Sequence, residues 1–139
     1  MTTVNVTKTI NIPAQTAWDK LASFSGIENF SPIERSVVEG KGVGAKRSCF
    51  LPDNVEIKEE LTKLDNTNME FEYVILSGPF PISDYVSTVK ITSKGEESSQ
   101  ISWTANFVVG EAPVEQMEEL FTGFYHAIID SLESLVINA

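Results

Sequence analysis

The stretch PVEQMEELFTGFYHAIIDSLESLVI, Pro113–Ile137, decides how this chain folds. Pro113 opens a helix, because its missing N–H would go unpaired in a first turn anyway. Glu115, Glu118 and Glu119 then sit near the positive end of the helix dipole. Val114, Met117, Leu120, Phe121, Phe124, Ile128, Leu132 and Leu135 recur with a period near 3.6, which makes one broad face apolar. Such a face has to be buried against something.

The residues upstream supply the partner. Val4, Val6, Ile10 and Ile12 share one parity and read as an opening strand. Pro13 starts a helix over Ala14–Phe24 that Gly26 closes, and a shorter helical turn follows at Ile27–Phe30. From Ile33 to Val109 the pattern is strands joined by tight turns: Ile33–Glu39, Ala45–Leu51, Val55–Leu64, Met69–Leu76, Ser83–Thr92 and Ile101–Val109. Antiparallel strands of this kind present one apolar face, and the terminal helix covers it. The expected fold is α+β: a seven-stranded curved antiparallel sheet wrapped around the long C-terminal helix, with two short helices after the first strand. No repeat, linker or low-complexity tract divides the chain, so residues 1–139 read as one domain.

Composition narrows the partners. Apolar residues make up 42% and charged residues 22%, the balance of a folded chain, and the net charge of −10 disfavours nucleic-acid phosphates or an anionic membrane. No uninterrupted apolar run approaches the roughly 20 residues of a membrane span. Cys49 stands alone, so the fold needs no oxidising compartment, and with no signal-peptide profile at the N-terminus a cytoplasmic location is expected.

Strand parity also names an inner surface. Val55, Ile57, Glu59 and Leu61 share a face, as do Phe71, Tyr73 and Ile75, then Ser83, Tyr85, Ser87, Val89 and Ile91, then Ile101, Trp103, Ala105 and Phe107. The opposite faces carry charged and polar residues such as Glu56, Lys58, Glu70 and Lys90. An apolar, aromatic inner set with a few polar groups suits a small-molecule cavity of roughly 300–1,000 Å³. Its expected lining is Glu59, Tyr73, Ile75, Tyr85, Ser87 and Trp103 from the sheet, with Leu120, Phe124 and Ile128 from the helix. Glu59 is the outlier: a carboxylate among apolar positions must find a partner, take a proton or keep water. Three readings stay open for it: a polar anchor in the cavity, a general acid/base, or a structural ion pair with Arg47.

These pieces together resemble the START-related superfamily, which includes polyketide cyclase/dehydrase-like, birch-pollen-allergen-like and plant abscisic-acid-receptor-like proteins. The likeness rests on Ile12-Pro13-Ala14 with Ala17-Trp18, Gly44 with Arg47, Glu59-Glu60-Leu61 with Leu64-Asp65, Gly78-Pro79-Phe80-Pro81-Ile82 with Asp84-Tyr85 and Ser87, and the terminal helix. It spans nearly the whole chain and implies the helix-grip fold. In the receptor-like proteins the matching glutamate reaches the pocket and binds ligand through water, which the resemblance extends to Glu59. Tyr85 and Ser87 fall on the matching Tyr-x-Ser. Leu51-Pro52 and the loop carrying Phe80 match the two entrance loops, although proline there also fits ordinary turn chemistry. A hormone-receptor role is not implied, since Ser31 stands near the position of the lysine that pairs with a carboxylate hormone.

Other signals carry little. Gly40-Lys41-Gly42-Val43-Gly44 joins two strands and so reads as a hairpin turn, not a phosphate loop. His126 is the only histidine; with no serine elbow and one cysteine, neither a triad nor a metal site assembles, and no cofactor is expected. Gly123, mid-helix, costs about 1 kcal/mol relative to alanine unless close contact or a ligand needs the space. The favoured function is binding or transport of a small lipophilic molecule. The alternatives are a polyketide cyclase/dehydrase-type enzyme moving protons through Glu59 and pocket tyrosines, and an interaction module forming a homodimer.

Overall fold

The computed structural model describes residues 1–139. The chain opens with β1 (Thr2–Ile10), then α1 (Ala14–Ala22) and a 3-10 turn at Ile27–Phe30. Six strands follow: β2 (Arg35–Glu39), β3 (Lys46–Leu51), β4 (Val55–Asp65), β5 (Glu70–Ser77), β6 (Ile82–Gly95) and β7 (Ser98–Val109). A single helix, α2 (Val114–Ile137), ends the chain. The strands form one antiparallel sheet in the order β1-β7-β6-β5-β4-β3-β2. Strands β2 to β7 meander, and β1 returns to pair with β7, placing Val4 opposite Ala105 and Val6 opposite Trp103. The curved sheet grips α2, which is the helix-grip arrangement expected from the sequence.

Pro13 holds an extended backbone immediately before α1. The helix ends at Ala22, two residues sooner than its apolar spacing predicts. Phe24 explains the early stop: its φ of 64° lies in the left-handed region, a costly position for a bulky side chain. That turn swings the Phe24 ring into the core instead of along the helix. Trp18 packs on Phe71, and its Nε1 donates to Asn66 Oδ1 at 3.1 Å, tying α1 to the β4–β5 turn.

The inward set is buried much as parity predicts, with two breaks: Val55, at the start of β4 beside the exposed Pro52–Asn54 turn, is exposed, and the alternation is reset in β6. Asp84 has a φ of 55° and the β6–β7 register slips between Ser83 and Val86. This bulge resets the alternation, so Ser83 is exposed while Tyr85, Ser87, Val89 and Ile91 point inward.

The buried face of α2 also differs from the sequence expectation. Met117, Phe121, Tyr125, Ile128, Ile129 and Leu132 are buried, whereas Val114, Leu120 and Leu135 keep substantial exposure. At 100° per residue the true stripe is turned by roughly 40° toward Tyr125 and Ile129. Its hydroxyl masked Tyr125 as a core position, and Val114 and Leu135 occupy the helix ends, where the sheet gives little cover. By length and composition α2 is the one helix apolar enough to cross a membrane. Here its apolar stripe is used in the core.

Contact between α2 and the sheet is uneven. The helix packs chiefly on β1, the 3-10 turn and β7, and does not pack closely on the inner faces of β4 and β5, of which α1 covers Phe71. That asymmetry opens a space between sheet and helix.

Gly123 lies on the solvent side of α2, and a Cβ there meets nothing within 4 Å. Neither close packing nor ligand room explains it. Gly123→Ala should therefore stabilise the fold by about 0.5–1 kcal/mol through helix propensity alone. Chemical denaturation checks this, and an unchanged or lowered midpoint would contradict it.

Candidate functional site

The space between sheet and helix is a cavity of about 150 Å³. Its wall is formed by Ile57 and Glu59 of β4, Tyr73 and Ile75 of β5, Tyr85 of β6, and Leu120, Phe121, Phe124 and Tyr125 of α2, with Pro32, Leu51 and Phe80 from loops and strand ends. Phe80 meets the edge of Phe121 with ring centroids 5.4 Å apart, covering one side of the mouth. Leu120, 41% exposed, stands on the other side. The volume falls below the roughly 300–1,000 Å³ of drug-sized pockets. It equals that of an engineered apolar cavity that stays dry and accepts benzene, so one ring is the scale of the site.

Most of the sequence-predicted lining gathers here: Glu59, Tyr73, Ile75, Tyr85, Leu120 and Phe124, together with Leu51 and Phe80. Four residues do not reach the wall. Ser87, Trp103 and Ile128 point inward as parity and helical spacing require, but they are wholly buried one layer behind it. Pro52 begins an exposed 3-10 turn, Pro52–Asn54, and faces away. Four wall residues lie outside the expected lining: Ile57 and Phe121, which parity and helical spacing placed on the inward faces without assigning them to the cavity, and Tyr125 and Pro32, which they did not. A period count centred on the most regular apolar positions would have found Tyr125; no local signal marks Pro32.

Glu59 forms the ion pair while also lining the cavity. Strand pairing sets it directly opposite Arg47, and the side chains meet with Arg47 Nε and a terminal guanidinium nitrogen both 2.7 Å from Glu59 Oε1. The pair is buried, its side chains 5% and 10% exposed. The guanidinium lies 3.9 Å from the centroid of the Phe24 ring, so the left-handed turn at Phe24 builds a cation–π lid over the pair. Burial would lower the Arg47 pKa, but the Glu59 carboxylate overrides it and holds it raised. Cys49 Sγ approaches Glu59 Oε1 at 3.5 Å. Burial first, and the Glu59 charge second, push this thiol up to about 12. Cys49 is thus a buried neutral group, far from nucleophilic.

The second polar cluster consists of hydroxyls. Trp103 Nε1 donates to Tyr73 Oη at 3.2 Å, Tyr73 and Tyr85 hydroxyls lie 3.3 Å apart, and Tyr85 is hydrogen-bonded to Tyr125. Burial, followed by neighbouring polar groups, holds all three tyrosine pKa values well above the ordinary 10.0. They stay protonated throughout the physiological range. Ser87 Oγ is fully buried within reach of the Tyr85 and Tyr125 hydroxyls, although it makes no hydrogen bond of good geometry.

The fold and cavity define a helix-grip protein with a small internal apolar site. The chain belongs to the polyketide cyclase / dehydrase and lipid transport family, whose profile matches residues 1–136. No curated protein sequence matches it. Among solved structures, the protein XoxI of Bacillus cereus is 24% identical, with a TM-score of 0.88 over 96% of this chain and 94% of that one. A Thermobifida fusca protein is 21% identical, with a TM-score of 0.85 over 96% and 91% of the two chains. Norcoclaurine synthase from Thalictrum flavum, solved in complex with dopamine and hydroxybenzaldehyde, is 18% identical, with a TM-score of 0.73 over 99% and 87%. At these identities the likeness is one of fold.

Two predictions follow from the buried groups. Arg47→Met strands the Glu59 carboxylate and should cost about 3–5 kcal/mol, while Arg47→Met with Glu59→Leu should recover most of it. Denaturant midpoints of the two variants test this; equal losses would show that the pair is not the source. Separately, the folded protein holds the Cys49 and tyrosine protons more tightly than the unfolded chain does. Their contribution to stability should therefore be constant below the unfolded thiol value of 9.0 and be lost as pH rises toward about 12. Thermal melts across that range check the sign, and a rise in stability would contradict it.

Proposed function

We propose that the chain is a single ligand-binding domain, residues 1–139, that holds one small, mostly apolar molecule between the sheet and α2. One observation carries the reading: ten of the twelve residues around the cavity are hydrophobic, and the only charged one, Glu59, is already neutralised by Arg47. Such a wall gains little from an ion and much from an apolar surface, at about 25 cal/mol per Å² removed from water. Family membership in a group that includes lipid transport supports it. So does a neighbour of the same fold solved with single-ring compounds. The reading takes a cytoplasmic carrier or sensor and is compatible with self-association through a strand edge.

The family description also covers cyclases and dehydrases. Here two observations weigh against chemistry of that kind on a long chain. A cavity of about 150 Å³ holds one ring, not a folded poly-ketone, and Glu59 is engaged by two guanidinium nitrogens and a thiol. If Glu59 moved protons, Glu59→Gln would abolish turnover of a polyketide-like substrate while leaving its binding intact.

Titration of the protein with toluene, followed by amide NMR, tests the carrier reading. Saturable shifts should appear at Ile75, Phe80, Phe121 and Phe124. They should vanish in Ile75→Trp, which fills the cavity while the rest of the spectrum stays folded. Absence of saturable shifts in the unaltered protein would overturn the reading.

A further inference from the structure

The sheet forks beside the cavity. The ladder between β5 and β6 ends at Val74 opposite Val86. Beyond it each strand keeps only its other neighbour: β5 stays on β4 as far as Ser77, while Ile82 and Ser83 stay on β7. The Asp84 bulge lies on the β6 side of the split, and a bulged strand bends away from its neighbour. Phe80 and its flanking prolines close the far end. Gly110 N–H donates to the Pro81 carbonyl at 2.8 Å, which ties this loop to the end of β7.

Between the separated strands lies an open groove of about 350 Å³. Leu76, Ser77, Ser83 and Asp84 line it, and it shares Ile75, Phe80 and Tyr85 with the inner cavity. Neighbouring strand residues point to opposite faces, as exposed Asp84 and buried Tyr85 do. A groove lined by both therefore cuts from the outer face of the sheet toward the cavity. Of the three shared residues, Ile75 and Tyr85 belong to strands and Phe80 to a loop. Phe80 is the movable part of the partition, held on Phe121 by a single edge contact.

The two spaces differ in chemistry. The cavity wall is almost wholly apolar, whereas the groove adds two serine hydroxyls, strand edge that has left the ladder, and one carboxylate. Hydroxyls and open backbone both donate and accept, so a neutral polar group finds partners there. Asp84 is the only charged residue of the groove and joins no ion pair. An anion would face that carboxylate on a protein of net charge −10.

We infer that the groove is a second chamber of the binding site. The ligand is an elongated molecule whose apolar ring fills the inner cavity and whose short, neutral, hydroxyl-bearing tail passes Phe80 into the fork between β5 and β6. The inference rests on the carrier reading above and extends it from a ring to a ring with a tail.

The test titrates toluene, 4-phenyl-1-butanol and 4-phenylbutyrate into the full-length protein by NMR. Nuclear Overhauser contacts should join the ring of the alcohol to Phe121 and Phe124, and its chain protons to Leu76, Ile82 and Ser83. Toluene should contact the first set only. The ratio of alcohol to toluene affinity should rise about three- to tenfold in Phe80→Ala, where no aromatic pair has to be displaced. The acid should bind at least about threefold more weakly than the alcohol in low salt, and Asp84→Asn should narrow that gap. If toluene and the alcohol bind but the chain protons touch no residue of the fork, the second chamber is wrong and the carrier reading stands. An unchanged ratio in Phe80→Ala, or an unchanged gap in Asp84→Asn, also overturns it. If neither toluene nor the alcohol binds, both readings fall together.

Discussion

One constraint organises this protein: the inner face of a curved seven-stranded sheet is larger than one helix can cover. Toward the C-terminal part of α2 the match is tight, and Ile128, Ile129 and Leu132 are wholly excluded from water. The helix packs chiefly on β1, the 3-10 turn and β7, so the inner faces of β4 and β5 look onto aromatic rings near its N-terminal half across a gap. Interiors normally pack as densely as organic crystals. A gap of about 150 Å³ in a domain of this size is therefore a property of the architecture that packing alone would remove.

Polar groups beside such a gap must be satisfied without water, and the sheet does this through register. Pairing of β3 with β4 places Arg47 against Glu59, and pairing of β5 with β6 places Tyr73 against Ser87, two residues along β6 from Tyr85. The ion pair is closed on itself beneath the Phe24 ring. The tyrosine hydroxyls bond among themselves and to Trp103 Nε1, so they too are largely satisfied within the sheet and helix. An inward carboxylate draws attention in a sequence because it is charged; in the folded protein that charge is what ties it to Arg47 at the cavity wall.

Much of this was legible in the residues. Alternation in β4, β5 and β7 identified the inner face, and the apolar period of Pro113–Ile137 identified the helix that covers it. The family was readable from the order of several weak motifs, since together they spanned the chain. What escaped had local causes. The Asp84 bulge turns Ser83 outward, and a bulge leaves no trace in a parity count. Tyr125 was passed over because its phenol reads as polar, whereas its ring stacks on Trp103 at 5.2 Å in the core. Ser87, Trp103 and Ile128 show a further limit: periodicity says which way a side chain points, and depth behind a cavity wall is set by neighbours from distant strands. That Glu59 pairs with Arg47 likewise depends on the cross-strand position of Arg47.

The central claim is physical and simple: an apolar hollow of single-ring size lies between β4–β6 and α2 and can be occupied without unfolding. A crystal structure determined under xenon pressure addresses it most directly, because xenon enters dry apolar cavities and scatters strongly. The account predicts a xenon atom surrounded by Ile57, Tyr73, Ile75, Phe121 and Phe124, with the backbone essentially unmoved. A crystal with that volume filled by repacked side chains, or with no xenon there at saturating pressure, would contradict it.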